Sequence, residues 1–182
     1  MASAPAFAGE LAMARAQGVS ASLTCGSFVR VFLAIDEETL VVTEAKYLSN
    51  GCGFAIAAAE TVASSLIGKS LHVLNGFSSG DLDKVLNNEA GEFPPQREQC
   101  ANLGFDALRA ALADFRRVRV GEFNGESALI CSCFGIDEKT IERAVETGSL
   151  ETVSAVGAIT NAGTGCGSCR SIIQEIIDSR SR

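Results

Sequence analysis

Residues 28–69 read FVRVFLAIDEETLVVTEAKYLSNGCGFAIAAAETVASSLIGK, and this stretch decides the fold class. Phe28 to Ile35 is apolar and β-branched, with Val29, Val31, Leu33 and Ile35 on one face at a period of two, as in a strand covering a core. Asp36-Glu37-Glu38 supplies a polar turn and Thr39 to Leu48 a second strand, so a hairpin is predicted. Ser49-Asn50-Gly51 breaks the second strand directly before Cys52. Gly53 to Ile67 is Ala-rich and closes on Gly68-Lys69, which predicts a helix with a C-terminal glycine. Cys52 is therefore expected at a strand-to-helix junction, at the positive end of the helix dipole, where the thiolate is favoured.

Outward from this stretch the same logic holds. Asp81 to Asn88 predicts a turn or two of helix, and Phe93-Pro94-Pro95 an extended segment, since proline disfavours helix in the residue before it. Cys100 opens a helix expected to run to about Phe115, with Leu103, Ala107, Leu108, Ala111 and Leu112 as its apolar stripe. Cys25-Gly26 precedes the first strand. Two strands and three helices, with cysteines at element ends, describe a compact α+β domain over residues 23–117. Residues 1–22 form an Ala-rich arm, frayed or helical; Glu10 and the lack of a basic segment distinguish it from a targeting peptide.

Residues 118–127, with two glycines and an asparagine, suit a linker. Beyond it, residues 128–182 predict a small, mostly helical domain. Asp137 can cap a helix over Glu138 to Thr147, Ser149 one from Leu150 to about Ile159, and Gly167 or Ser168 starts one to about Ser179. So few residues bury little surface, and a metal centre would add the missing stability.

Composition narrows the partners. A formal charge of −7 over 182 residues disfavours nucleic acid, because neutralising phosphates needs clustered Lys and Arg. Both halves are mildly acidic: 10 basic and 14 acidic residues precede Phe123, and 5 and 8 follow it. No apolar run approaches the roughly 20 residues that span a bilayer. Seven cysteines, an odd number, without a secretory signal point to a reducing, cytoplasmic compartment with thiols free for metal chemistry.

Four of the cysteines are close-paired: Cys131 and Cys133 as C-x-C, then 32 residues, then Cys166 and Cys169 as C-x-x-C. Clustered, Gly-flanked cysteines of this kind are expected in loops rather than in a core. Thiolates suit zinc or iron–sulfur clusters, not magnesium or calcium. C-x-x-C is common at zinc, whereas C-x-C is less usual there. Gly163, Gly165 and Gly167 would let backbone N–H groups approach anionic sulfur, which favours an iron–sulfur cluster. His72, the single histidine, is expected in a solvated loop.

The segment Ala128 to Asp178, with ICSCFGID at 130–137 and AGTGCGSC at 162–169, resembles the [2Fe–2S] domain of bacterioferritin-associated ferredoxins and the middle domain of NifU-type scaffolds. That resemblance implies a permanent [2Fe–2S] cluster on Cys131, Cys133, Cys166 and Cys169. Upstream, CGSF at 25–28, GCGFAIA at 51–57, GK at 68–69 and PPQREQC at 94–100 resemble the IscU/NifU-type assembly scaffold, whose fold is an antiparallel sheet with packed helices. In that family three cysteines hold a transient [2Fe–2S] cluster or iron, and the matching residues are Cys25, Cys52 and Cys100. Ser27 stands where the family usually has aspartate, and Gln99 where it usually has histidine. The C-terminal C-x-x-C module of long NifU proteins is not found before Arg182.

The resemblance implies a non-enzymatic scaffold that receives sulfur from a cysteine desulfurase and passes clusters to apo-proteins. It also implies a homodimer, and a chaperone that would recognise Phe93-Pro94-Pro95-Gln96-Arg97. Two rivals belong to other classes. One is an electron-transfer or redox protein using only the downstream cluster, with the upstream domain as a docking module; the other is a zinc-stabilised adaptor.

Overall fold

The computed structural model describes residues 5–75, 84 and 94–180. The chain divides into two compact units, Met1–Phe115 and Arg116–Arg182.

In the first unit, β1 (Ala16–Ala21), β2 (Phe28–Ile35) and β3 (Val42–Ser49) form an antiparallel sheet in the order β1-β2-β3. The period-two face of β2 is the core face: Val29, Val31 and Leu33 are fully buried and Ile35 nearly so. β3 starts three residues later than the sequence suggests. Leu40 adopts a left-handed conformation (φ 54°), and Asp36 accepts from the Thr39 amide and hydroxyl, so the turn is longer than Asp36-Glu37-Glu38 alone.

The N-terminal arm is neither frayed nor helical over its described length. β1 lies inside it and pairs with β2 from Ala16↔Leu33 to Ala21↔Phe28. Gly18 explains how: a Cβ there would sit 2.1 Å from the Ala111 nitrogen and 2.3 Å from the Ala107 oxygen. Only glycine lets this strand lie against a helix backbone so closely. Further upstream, Gly9 N–H donates to Tyr47 O, Tyr47 N–H to Phe7 O, and the Ala6 and Phe7 amides to Glu60 Oε1. This strap pairs with β3 through an isolated parallel bridge at Ala8↔Tyr47, satisfying backbone groups on that strand.

Helix α1 (Gly53–Leu66) presents Ala55, Ala58, Ala59, Val62, Ala63 and Leu66 to the core, all fully buried. Its small side chains allow close approach. The short α2 (Leu71–Asn75) follows and includes His72, which is therefore helical rather than in a loop. The helix expected over 81–88 falls outside the described residues, apart from residue 84.

A single 3₁₀ turn, Pro95–Arg97, leads into α3 (Glu98–Glu122). The predicted stripe is its buried face, joined by Cys100, Ala101, Gly104 and Phe115. α3 continues past Phe115 to Glu122, so the first five residues of the predicted 118–127 linker are helical. The run Arg116-Arg117-Val118-Arg119-Val120 holds no proline and offers good helix formers, which outweigh a lone exposed Gly121.

In the second unit, β4 (Leu129–Cys131) and β5 (Ile136–Asp137) form a small hairpin that no periodicity in the sequence signals. Three helices follow: α4 (Glu138–Gly148), α5 (Val153–Thr160) and α6 (Arg170–Arg180). Asp137 caps α4 as expected, accepting from the Thr140 amide at 3.0 Å. α5 starts later than expected because Thr152, not Ser149, is its cap; Ser149 instead ends α4 in a left-handed conformation. Phe134, Ile141, Val145, Val156, Ile173, Ile176 and Ile177 form the core.

Candidate metal-binding thiol sites

The first unit brings two of its three cysteines into contact. Cys52 is the N-cap residue of α1, and Cys100 lies in the first turn of α3. The two helices approach at Gly104, where an added Cβ would lie 3.4 Å from Val62 Cγ2 and 3.6 Å from the Ala58 backbone. Ala58 lies six residues after Cys52 and Gly104 four after Cys100, so the helices begin side by side. The Cys52 and Cys100 sulfurs are consequently 3.8 Å apart.

The pair is electrostatically asymmetric. Cys52 is exposed, and the Ala55 amide, then the Phe54 amide, favour its thiolate and hold its pKa below the ordinary value, although no cap hydrogen bond forms within normal limits. Cys100 is buried, and desolvation followed by its contact with Cys52 pushes its pKa up. Arg97, stacked 5.5 Å from the centroid of Phe54, favours the thiolate at both.

Cys25 lies in the β1–β2 turn, fully open to solvent, and the charge of its thiolate reaches Cys100. Its Sγ donates to Ser27 Oγ at 3.3 Å. In the thiolate form, the Ser22 and then the Ser27 hydroxyl donate to sulfur, lowering its pKa to about 7. A carboxylate at position 27 would repel that charge, whereas a hydroxyl stabilises it. Asn50 ties this turn to the end of β3, accepting from the Phe28 amide at 2.7 Å and donating to Gly26 O at 3.2 Å.

In the second unit, Cys131 ends β4 and Cys133 lies in the turn to β5, whose last residue, Gly135, requires a positive φ of 66°. Arg119 braces that turn by donating to Phe134 O at 3.0 Å. Cys166 and Cys169 lie in the loop between α5 and α6, where Gly163 and Gly167 both take φ 79°. The Cys133 and Cys166 sulfurs are 3.4 Å apart, and Cys166 contacts Ser168 Oγ at 3.1 Å.

Cys131, Cys133 and Cys169 are buried and Cys166 is exposed. The expectation that Gly-flanked cysteines avoid the core therefore fails for three of four. The loops lie against the Phe134 and Ile173 core, so their thiols point inward. In its thiolate form Cys131 would accept from the Cys133 thiol, which lowers its pKa, and it also receives the Gly163 and Phe134 amides. The same contact, with burial, pushes Cys133 up to about 12 against the pull of the Cys166 amide. Among the described residues, no three His, Cys, Asp or Glu side chains converge at distances that would hold a single ion. Nor is any described helix long and apolar enough to cross a membrane.

Fold and thiols together define a class: an antiparallel sheet with packed helices that carries cysteines at element ends, joined in sequence to a small helical unit with paired cysteines. The chain belongs to the NifU family. The NifU-like N terminal domain matches residues 2–121, and the BFD-like [2Fe-2S] binding domain matches residues 129–179. The nitrogen fixation protein NifU of Azospirillum brasilense is 33% identical over 177 residues, covering 96% of this chain and 56% of the relative. The chain thus spans about half the length of that relative. The iron-sulfur cluster assembly scaffold protein IscU of Escherichia coli is 29% identical over 102 residues, covering 56% of this chain and 75% of the relative. Among solved structures, a nitrogen-fixing NifU-like protein (N-terminal) from Brucella abortus superposes with a TM-score of 0.47 at 19% identity, covering 62% of this chain and 86% of that one.

Proposed function

We propose that the chain is an iron–sulfur cluster assembly scaffold with two thiol centres of different tenure. The observation that carries this reading is the 3.8 Å approach of Cys52 and Cys100 at the adjoining starts of two helices, within reach of the charge on Cys25. A scaffold must take sulfur from a donor, hold it with iron, and release the product. An exposed thiolate-prone cysteine beside a buried one, with a third on an open turn, suits reversible loading better than a closed clip does.

In this reading Cys25, Cys52 and Cys100 hold the cargo, a transient [2Fe–2S] cluster or its iron. Sulfur arrives from a cysteine desulfurase, and apo-proteins receive the product. Ser27 and Gln99 supply neither the carboxylate nor the imidazole usual at these positions, so the cargo is held by thiolates with no charged partner at 27. Weaker holding favours release.

Cys131, Cys133, Cys166 and Cys169 would hold the permanent [2Fe–2S] cluster. The donor set fits: all four groups are thiols, and the Gly163, Phe134 and Cys166 amides are directed at sulfur. A two-iron cluster takes two thiolates per iron, so the four need not converge on one ion. When bound, such a cluster supplies one-electron transfer. The chain's own contribution is to exclude water from three of the sulfurs and to orient N–H donors on them.

The test is reconstitution of anaerobically purified protein with iron, cysteine and a desulfurase. Wild type should build a second, labile cluster that passes to an apo-ferredoxin. The triple variant C25A/C52A/C100A should keep the fixed cluster's absorption and lose transfer. Equal transfer by the two proteins would refute the scaffold reading and leave electron transfer through the downstream cluster; a colourless, zinc-only protein would refute both.

A further inference from the structure

We propose that Arg97, clamped on the ring of Phe54, is a positioning residue that steers anionic sulfur compounds to the Cys52–Cys100 pair and holds the two thiols in register. The proposal rests on the scaffold reading for its substrate class, a persulfide or similar anionic sulfur donor. Its geometry stands independently.

Phe54 is two residues after Cys52, in the first turn of α1, and Arg97 is three before Cys100, in the 3₁₀ turn that leads into α3. The guanidinium carbon lies 5.5 Å from the ring centroid, within cation–π range. This contact therefore bridges the same two helix starts whose sulfurs stand 3.8 Å apart. It closes the assembly at one end, as the Gly104–Val62 contact does farther along. Arg97 and Phe54 are both exposed, so the fixed charge faces the solvent from which a ligand would come. A flexible arginine would spread its charge over many rotamers; stacking on the ring restricts it to one side.

Two disulfide probes separate steering from positioning in the metal-free full-length chain: dianionic 5,5′-dithiobis(2-nitrobenzoate) and neutral 2,2′-dithiodipyridine. In the first phase the Cys52 thiolate attacks the probe, forming a mixed disulfide and releasing one aromatic thiolate. In the second, Cys100 gives up its proton and displaces the other aromatic thiolate, leaving a Cys52–Cys100 disulfide. Peptide-resolved mass spectrometry assigns both phases to these residues. The ratio of anionic to neutral first-phase rates cancels differences in thiolate fraction and reports the local field alone.

R97Q should lower that ratio by about three- to tenfold at low ionic strength, and the difference should vanish at high salt. R97K should retain most of it. F54L should slow the second phase by about threefold or more with the neutral probe, and F54Y, which keeps the ring, should restore it. A ratio unchanged in R97Q overturns steering, and an unchanged second phase in folded F54L overturns positioning. A wild-type chain that never closes the disulfide overturns positioning as well. Cluster building by the same proteins is scored separately: if wild type fails to assemble a transferable cluster while the probe ratio behaves as stated, the scaffold reading falls and the steering site stands.

Discussion

Replacing Gly18 with alanine tests how the upstream site is assembled, because β1 is the element that the sequence pattern hid. The added Cβ would lie 2.1 Å from Ala111 N, 2.3 Å from Ala107 O and 2.6 Å from Ala110 C. All three are backbone atoms of α3 and cannot swing away. Ordinary contact lies near 3.5 Å, so strand and helix must separate by roughly 1 Å or more. Overpacking of this kind costs about 1–3 kcal/mol, and a backbone obstacle argues for the upper part of that range. Separation would also stretch the bond from the Gln17 amide to Asp114 Oδ2, now 3.1 Å. Against a typical total of about 5–15 kcal/mol, the loss is large, and the melting temperature of the first unit should fall by roughly 5–15 °C. Because α3 carries Cys100, the disulfide-closure rate of the Cys52–Cys100 pair should fall too. Urea unfolding followed by circular dichroism measures the first effect. Gly53→Ala is the control: its Cβ would meet nothing within 4 Å, and it should stay within about 0.5 kcal/mol of wild type. A Gly18→Ala protein as stable as that control would refute the close strand–helix packing.

Other consequences follow from single residues. Iodoacetamide labelling of Cys25 in metal-free protein should rise with pH through a midpoint near 7, since that is where its thiolate forms, and Ser22→Ala should move the midpoint upward; an ordinary thiol midpoint in wild type would count against the hydroxyl donors. Asp137→Ala should cost about 1 kcal/mol in the thermal stability of the second unit through loss of the α4 cap. Ser127 and then Thr140 depress the Asp137 pKa, so its contribution is complete above the unfolded carboxylate pKa and disappears as pH falls through the lower folded one; the wild-type and alanine melting curves should converge in acid. Gly163→Ala meets Ile173, Val153 and Arg170 atoms at 3.2–3.4 Å and strains a φ of 79°, so iron content of the downstream centre should drop at least severalfold by metal analysis while unit 1 unfolds normally. Glu60→Ala should release the N-terminal strap from its amide bonds, read as faster hydrogen exchange at Phe7 and Gly9.

Much of the fold was legible because its local chemistry agreed with its global role. The period-two face of β2, the Ala-rich α1 and the apolar stripe of α3 each predict burial from side chains alone, and each is buried. β1 was not legible. Ala16-Gln17-Gly18-Val19-Ser20-Ala21 is short, weakly apolar and broken by glycine, so its strand character comes from pairing with β2 and from lying against α3. The β4–β5 hairpin is similar: three residues and two residues carry no period, and the turn is held by Gly135 and Arg119. Sequence reasoning also passed over Arg97 and Phe54 as a pair. They are separated by a long stretch of chain, and nothing in either neighbourhood announces a contact that exists only because two helices begin side by side.

By itself the sequence determined the chemistry available: seven thiols, where glycine admits the backbone to sulfur, and the Asp137 cap of α4. Cysteine spacing is a covalent fact, and capping is local, so both survive without knowledge of the fold. Tertiary structure alone decided which thiols meet and which are dry. Cys52 and Cys100 touch because Gly104 lets α3 lie against α1, and Cys100, Cys131, Cys133 and Cys169 are buried because their segments pack on apolar side chains distant in sequence. Desolvation and proximity are properties of that packing, and they push the Cys52 thiol towards its thiolate and the Cys100 thiol towards its protonated form.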